Sequence, residues 1–373
     1  MKLLQILYPG LGGHSSVATS LIAGDRENTF DHYLLGYGIE KPSGNLDAVQ
    51  CDYVLKKRGF DWMSYLKVFN KIRKLKPDAV IVHSTSQVIT VFVFSLFHNI
   101  KWLAVEHQAN NAKTKMDWIY SFLILLLAPK VVYLTEMYKK EMTAHFPRLS
   151  KFKKITVIGN GIDLTKFAPR TRVPDGYTNI TMISRMNKLR DHHTLITAFH
   201  TIAQTNNNVR LKIAGEGETY GEIKKLIHSL GIENKVELLG FLNEDEIIDL
   251  LHNTDIYVHS SLAETQSTSL LQVMACKIPI IATDIPGINN LLTNNVDAVL
   301  FPESNSELLE TSLKAMISSP KMRYSLIENA YKKVTDQFNN IVLFKRYEAF
   351  LNNSSKLAYE NTTRYQWFGL RRR

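Results

Sequence analysis

Two doubly wound α/β domains facing each other across a cleft are what this sequence predicts, and three observations carry that reading. With 373 residues and 45% hydrophobic content, the chain is long for one core and suits two of about 150 to 200 residues each. Short apolar runs bounded by Gly, Pro or Asp alternate with longer helical patterns along most of its length. One complete strand–helix–strand unit is legible around residues 256–287: an apolar strand ending at Val258, a polar loop with Glu264, a helix behind Ser267 or Thr268 as N-cap, and a second apolar strand at 279–282.

Taken in order, strand 3–8 runs into the loop Pro9-Gly10-Leu11-Gly12-Gly13-His14, and an apolar stretch at 17–23 reads as a helix. Residues 62–74 form an amphipathic helix, Pro77-Asp78 leads into strand 79–83, and 88–97 is helical. Strand 102–106 ends at His107, helix 118–127 and strand 130–134 follow, and strand 154–158 closes the first domain at Gly159-Asn160-Gly161-Ile162-Asp163. The charged, Pro-bearing segment 166–175 reads as a linker. A second series opens with strand 180–183 and helix 194–204. Strand 211–214 follows with its turn Gly215-Glu216-Gly217, then helix 220–230, strand 236–238 and helix 244–252. The resulting domains are 1–165 and 166–339, the first completed by an amphipathic helix beginning at Asn340 and extending to about 356, with a tail at 357–373.

Composition narrows the classes. Cys51 and Cys276 are too few for a disulfide framework or a zinc site, and the start MKLLQILYPG lacks signal-peptide anatomy, so a cytoplasmic protein is expected. Apolar runs at 88–97 and 119–128 are half the roughly twenty residues a membrane-spanning helix requires. Charge is uneven: residues 1–170 hold 23 basic and 13 acidic side chains, and residues 171–373 hold 22 of each. Basic clusters at 56–58, 67–76, 113–115, 139–140 and 151–154 suit an anionic membrane surface or a polyanionic acceptor, or are solvated helix faces. The tail sets Tyr365, Trp367 and Phe368 beside Arg371, Arg372 and Arg373, an interfacial composition that an unstructured tail would share. No nucleic-acid-binding module is present, and nucleic acid is not an expected partner.

Chemistry is legible at strand ends. A helix starting at Ser267-Thr268-Ser269 aims unpaired N–H groups and its positive dipole end at an anion. Glu264 lies just ahead of that terminus and Gln272 inside it, so a phosphate held between them would have a sugar on one side and a ribose on the other. Glu264 as an ordinary loop carboxylate is the competing reading. His107, just past a strand's carboxyl end, is placed to face the crevice.

The ordered motifs GNGID, SRMNKLRDHHTLI, AGEGE, LLGF, SSLAET with LLQVMAC, and PIIATDIPG resemble, over roughly residues 5–345, the family 4 (group 1) retaining glycosyltransferases of GT-B architecture. That resemblance implies a nucleotide-sugar donor, UDP-linked by expectation, and a glycan or polyprenyl-diphosphate-linked acceptor in cell-surface polysaccharide assembly. It assigns Glu264 to the donor-sugar hydroxyls, His107 to a place beside the sugar, and Arg185 and Arg190 to the diphosphate, with Lys188 in reserve. Gly12, Gly13, Gly215, Glu216, Thr268, Ser269 and Gln272 are the expected donor-binding residues. No cofactor beyond the donor is expected, and no metal: the sequence has no Asp-x-Asp, and the two arginines with the helix terminus can neutralise the leaving group. Retention then proceeds by front-face attack without a protein nucleophile.

The sequence departs from the family pattern in three places, one of them Asn290, which stands where a Glu often follows the Gly287 turn. Gln272 stands where the family has a second Glu; a neutral in place of a charged hydrogen bond to ribose costs about 1 kcal/mol. Arg190 stands where the family has Lys, which keeps the charge but replaces a point donor by a planar fork. A nucleotide-sugar epimerase of the same architecture, or a donor-binding subunit without activity, are the alternatives. Glu264, Arg185 and His107 all being present argues against the second.

Overall fold

A computed structural model describes residues 1–8, 13–39, 50–59, 61–108, 110, 113–151, 154–171 and 173–352, with the backbone alone for 13–16. The glycine loop through Gly12 and the aromatic-basic tail lie outside the described residues. The chain divides into two compact units, Met1–Gly161 together with the segment from Asn340 onward, and Ile162–Asn339. The first boundary thus falls at Gly161 rather than 165.

In the first unit the described strands are β1 Lys2–Leu7, β2 Asp31–Gly38, β3 Gln50–Leu55, β4 Ala79–Val82, β5 Lys101–Glu106, β6 Lys130–Tyr133 and β7 Lys154–Val157, in the order β3-β2-β1-β4-β5-β6-β7. Every pairing is parallel. The central strands read as unbroken apolar runs because both faces are covered; Ala79, Val80, Ile81 and Val82 are all buried. Strand order reverses between β1 and β4, so the crevice expected in such a sheet opens at the carboxyl ends of those two strands. The helices are α1 Gly13–Gly24, α2 Trp62–Leu75, α3 Val88–Phe97, α4 Lys115–Leu127, α5 Glu136–His145 and the short α6 Pro147–Ser150.

The second unit repeats the design with β8 Thr178–Ile183, β9 Val209–Ala214, β10 Val236–Gly240, β11 Ile256–His259, β12 Ile280–Thr283 and β13 Val299–Phe301, ordered β10-β9-β8-β11-β12-β13. Its reversal lies between β8 and β11. The intervening helices are α7 His192–Thr205, α8 Tyr220–Ser229, α9 Glu244–His252, α10 Thr268–Ala275, α11 Ser306–Ser318 and α12 Pro320–Gln337. Side-chain caps begin α7, α9 and α10: Asp191 accepts from Thr194 N, Asn243 forms a capping box with Glu246, and Ser267 accepts from Leu270 N.

Helix α13, Asn340–Leu351, belongs to the first unit. Phe344 meets Phe30 edge-on at 5.9 Å, and the Lys130 ammonium donates to the carbonyls of Phe350 and Leu351 at 2.6 and 2.8 Å. A cation on the last carbonyls satisfies acceptors that the helix itself leaves open. No helix among the described residues is long and apolar enough to cross a membrane.

Candidate functional site

The second unit's reversal point is built by two loops zipped together. The loop after β8 carries Ser184, Arg185 and Arg190, and the loop after β11 carries Ser260 to Gln266. Leu262 N donates to Leu189 O at 2.9 Å and Asp191 N to Ser260 O at 3.2 Å, while Arg190 and Ser261 form an antiparallel bridge. Behind them Ser261 N donates to Thr283 Oγ1 at 2.9 Å, and Thr283 Oγ1 donates to His259 O at 3.1 Å, which ties the loop after β11 to β12.

Arg190 joins the loops through its side chain. Its Nη1 donates to Ser261 Oγ and to Ala263 O, each at 2.7 Å, and its Nη2 lies 3.1 and 3.2 Å from the two Glu264 oxygens. His259 Nε2 adds a third contact to Glu264 at 3.3 Å. The Glu264 side chain is 11% exposed. Burial opposes its ionisation, but the Arg190 charge and the His259 contact outweigh it and hold the carboxyl below the usual range. The result is a carboxylate fixed in position and charged at neutral pH.

Two glycines set how closely these segments approach. Gly287 has φ +90°, and a Cβ there would lie 2.2 Å from Glu264 O. Gly215, at φ +129°, would place a Cβ 1.9 Å from Ser184 O. Neither position accommodates a larger residue without moving the loop it supports. Glu216 is exposed, and its carbonyl accepts from Met186 N at 2.9 Å, bracing the backbone next to Arg185. Arg185 is itself exposed at the carboxyl end of β8. His192 supports the same loop from within. Burial pushes its ring down to about 4, so it is neutral, with Nδ1–H donating to Arg190 O at 3.1 Å and Nε2 accepting from Ser184 Oγ at 3.0 Å.

Helix α10 starts directly behind the Glu264 loop. Ser267 is its N-cap, Thr268 and Ser269 form its first turn, and half-buried Gln272 follows a turn later. The structure therefore gathers Arg185, Arg190, Glu264, Thr268, Ser269 and Gln272 at one end of the second sheet, with Gly215 and Glu216 buttressing the loop. His107 lies in the first unit, half-buried after β5, 2.9 Å from His83. Gly13 is the first residue of α1. Sequence reasoning missed His259, Ser261 and Thr283; of these, only His259 carried a signal, being a polar residue at the end of an apolar strand, as His107 is.

One expectation about charge is corrected. Lys113 is not on the surface: its ammonium is buried 3.6 Å from Glu106 Oε1 and 4.9 Å from the Trp118 ring centroid. Burial outweighs that pairing on both sides, pushing the Glu106 carboxyl up and the Lys113 ammonium down.

Against this geometry the comparisons with known proteins are consistent. The family described as glycosyl transferases group 1 matches residues 165–333, and that described as Glycosyltransferase Family 4 matches residues 11–166. The chain belongs to the family 4, group 1 glycosyltransferases. It is similar to the phosphatidylinositol N-acetylglucosaminyltransferase GPI3 subunit of Saccharomyces cerevisiae, 27% identical over 212 residues, covering 54% of this chain and 46% of the relative. It is similar also to the alpha-monoglucosyldiacylglycerol synthase of Streptococcus pneumoniae, 25% identical over 228 residues, covering 57% of this chain and 52% of the relative. The matched stretch thus spans about half the length of these curated relatives. The crystal structure of Anabaena Alr3699/HepE in complex with UDP and glucose superposes with a TM-score of 0.77 over 94% of this chain and 99% of that one, at 17% identity. At that identity the likeness is one of fold, and the fold is GT-B.

The Arg190–Glu264 pair makes a direct prediction. In Arg190→Met the largest influence favouring ionisation is gone, so the Glu264 carboxyl should titrate higher than in the wild type when followed by carboxyl carbon NMR. Because the folded-state value is depressed, ionised Glu264 supports the fold above the ordinary 4.5, and that support is lost as pH falls through the lowered value. The variant should also lose about 3 kcal/mol at neutral pH, because a buried carboxylate has lost its guanidinium partner. An unchanged Glu264 titration would show that the pair does not control its charge.

Proposed function

We propose that this chain is a retaining glycosyltransferase that moves a sugar from a nucleotide-diphosphate sugar to a glycan or polyprenyl-diphosphate-linked acceptor in cell-surface polysaccharide assembly. The observation that carries this reading is the locked, ionised Glu264 immediately ahead of the α10 N-terminus, at the strand-order reversal where such sheets bind ligands. The helix terminus and Arg185 take the diphosphate; Gln272 takes a ribose hydroxyl; Glu264 accepts from donor-sugar hydroxyls. Arg190 acts mainly by holding Glu264, a role its contacts support more strongly than direct phosphate binding. The family resemblance assigns His107 to the sugar as well. The UDP in the HepE complex supports a uridine donor, either hexosyl or N-acetylhexosaminyl. Electrostatic stabilisation of the departing diphosphate is the main source of rate, with that phosphate taking the acceptor's proton.

Purified full-length chain should turn over at least one member of a panel of UDP-, GDP- and ADP-sugars, by hydrolysis or by transfer, and should do so in excess chelator. Glu264→Ala and Arg185→Ala should each lower turnover about 10²- to 10³-fold while the circular dichroism spectrum is unchanged. More than about a tenth of wild-type activity in either variant would remove that residue from the mechanism.

An acceptor on a lipid requires a surface that can meet the membrane, and exposed helices of the first unit support one. On α3 the side chains of Ile89, Leu96 and Phe97 are exposed, and on α4 those of Ile119, Phe122 and Leu126 are. The two helices pack side by side. Neighbouring α2 exposes Lys67, Arg73 and Lys74. Apolar helix faces beside lysines suit peripheral binding to an anionic leaflet, at about 1 kcal/mol per engaged cation. Changing Arg73, Lys74 and Lys76 to Gln should weaken sedimentation with phosphatidylserine vesicles at low salt and leave donor hydrolysis unchanged. Equal sedimentation of both proteins at low and at high salt would mean a solvated helix face.

A further inference from the structure

The loop between β8 and α7 opens with Ser184 and Arg185 and closes with Arg190 and Asp191. His192, the first residue of α7, is 2% exposed, and its ring joins the two ends of that loop. Nδ1 lies 3.1 Å from Arg190 O, and Nε2 lies 3.0 Å from Ser184 Oγ. A carbonyl oxygen only accepts, so Nδ1 carries the hydrogen. In the neutral ring that burial favours, Nε2 accepts and the Ser184 hydroxyl donates to it.

Each end of this span leads to a charged group of the site. At one end Arg185 follows Ser184, and the backbone on either side of it is held to the neighbouring strand and turn, Ser184 N donating to Ala214 O at 3.0 Å and Met186 N to Glu216 O at 2.9 Å. At the other end the Arg190 side chain holds Ser261, Ala263 and Glu264. Between them the loop is a series of short turns, Asn187 N donating to Arg185 O and Arg190 N to Asn187 O. Such turns order neighbours in sequence and leave the distance across the loop to be set by something rigid. A planar ring bonded at both ends is rigid.

We infer that His192 is a positioning residue that couples the two charged parts of the site: by pinning Ser184 to the backbone of Arg190, it fixes the spacing between the backbone of Arg185 and the Arg190–Glu264 pair. The coupling stands on these contacts, whereas its use in transfer rests on the proposed transferase reading. Electrostatic stabilisation of a leaving group requires its donors to be held within about 0.5 Å of the productive geometry, which a loop without a cross-tie does not ensure. The coupling also accounts for a histidine inside the second unit, where a ring without both hydrogen bonds would be a cost. An activated serine nucleophile is the other chemistry a Ser–His contact suggests. It does not fit, because a ring pushed down to about 4 is a weak base at neutral pH and the orienting partner of Nδ1 is a carbonyl rather than a carboxylate.

The test uses the full chain and separates the two parts. Long-range proton–nitrogen NMR at neutral pH should show His192 protonated on Nδ1. Ser184→Ala removes one end of the tie, and His192→Phe keeps a ring but removes both bonds. In each, amide exchange at residues 185–190 should quicken about tenfold, and the Glu264 carboxyl should titrate higher than in the wild type because Arg190 is held less firmly. Ser184→Thr, which keeps the hydroxyl, should hold the wild-type pattern. Where the phenylalanine variant fails to fold, the two serine variants still decide. His192 protonated on Nε2 in the wild type, or unchanged exchange and unchanged Glu264 titration in Ser184→Ala, overturns the inference whatever the activity. With a nucleotide sugar that the wild type turns over, Ser184→Ala should lower kcat about tenfold and change KM less than about twofold, and Ser184→Thr should retain both. Quickened exchange and a raised titration with kcat unchanged would overturn the role in transfer and leave the coupling standing. Failure of the wild type to turn over any nucleotide sugar would remove the transferase reading, and exchange and titration would still decide the coupling.

Discussion

The ion pair between Arg190 and Glu264 is the constraint on which the second unit's site depends. Two parallel strands, β8 and β11, end side by side where the sheet changes direction, and each must leave through a loop. Left to themselves such loops expose backbone groups and move. Here one guanidinium takes a hydroxyl, a carbonyl and a carboxylate from the facing loop, and two backbone hydrogen bonds close the rest. The energetic consequence is rigidity, and the chemical one is a carboxylate that stays charged despite burial.

Several sequence features acquire a cause from this. Gly287 and Gly215 are required because neighbouring backbone lies where a side chain would begin. Arg in place of Lys at position 190 is explained by its use as a fork, since an ammonium could not serve Ser261, Ala263 and both Glu264 oxygens in one plane. In the first unit a different device serves a similar end. His107 Nε2 lies 2.9 Å from buried His83, whose other ring nitrogen lies 3.1 Å from Gln5 Oε1.

The fold was largely legible because buried parallel strands are apolar on both faces and therefore stand out as short runs. Strands β4, β5, β8, β11 and β12 were found that way. Strands β2 and β3 were not anticipated: β2 contains His32, Gly36 and Gly38, and β3 alternates exposed and half-buried positions at the sheet edge. Helices α11 and α12 were not anticipated either. Within the site, residues at strand ends were visible by position, as Arg185, Glu264 and the α10 cap show. The partners of those residues were not. Ser261, Thr283 and Gln5 become significant only through contacts 71, 22 and 78 residues away in sequence, which no local pattern reports. Lys113 failed for the same reason, since a lysine in a basic cluster gives no sign that Glu106 lies beneath it.

The proposed function stands on a nucleoside diphosphate held at the start of α10 beside a pre-locked Glu264. Amide hydrogen exchange of the full chain with and without saturating UDP tests it most directly, because it reads the site without requiring the acceptor. Slowed exchange is expected at the amides of residues 268–270 and of the loop at 184–186, with little change at Glu264, which is already fixed. Binding of UDP accompanied by protection elsewhere and none at 268–270 would contradict it.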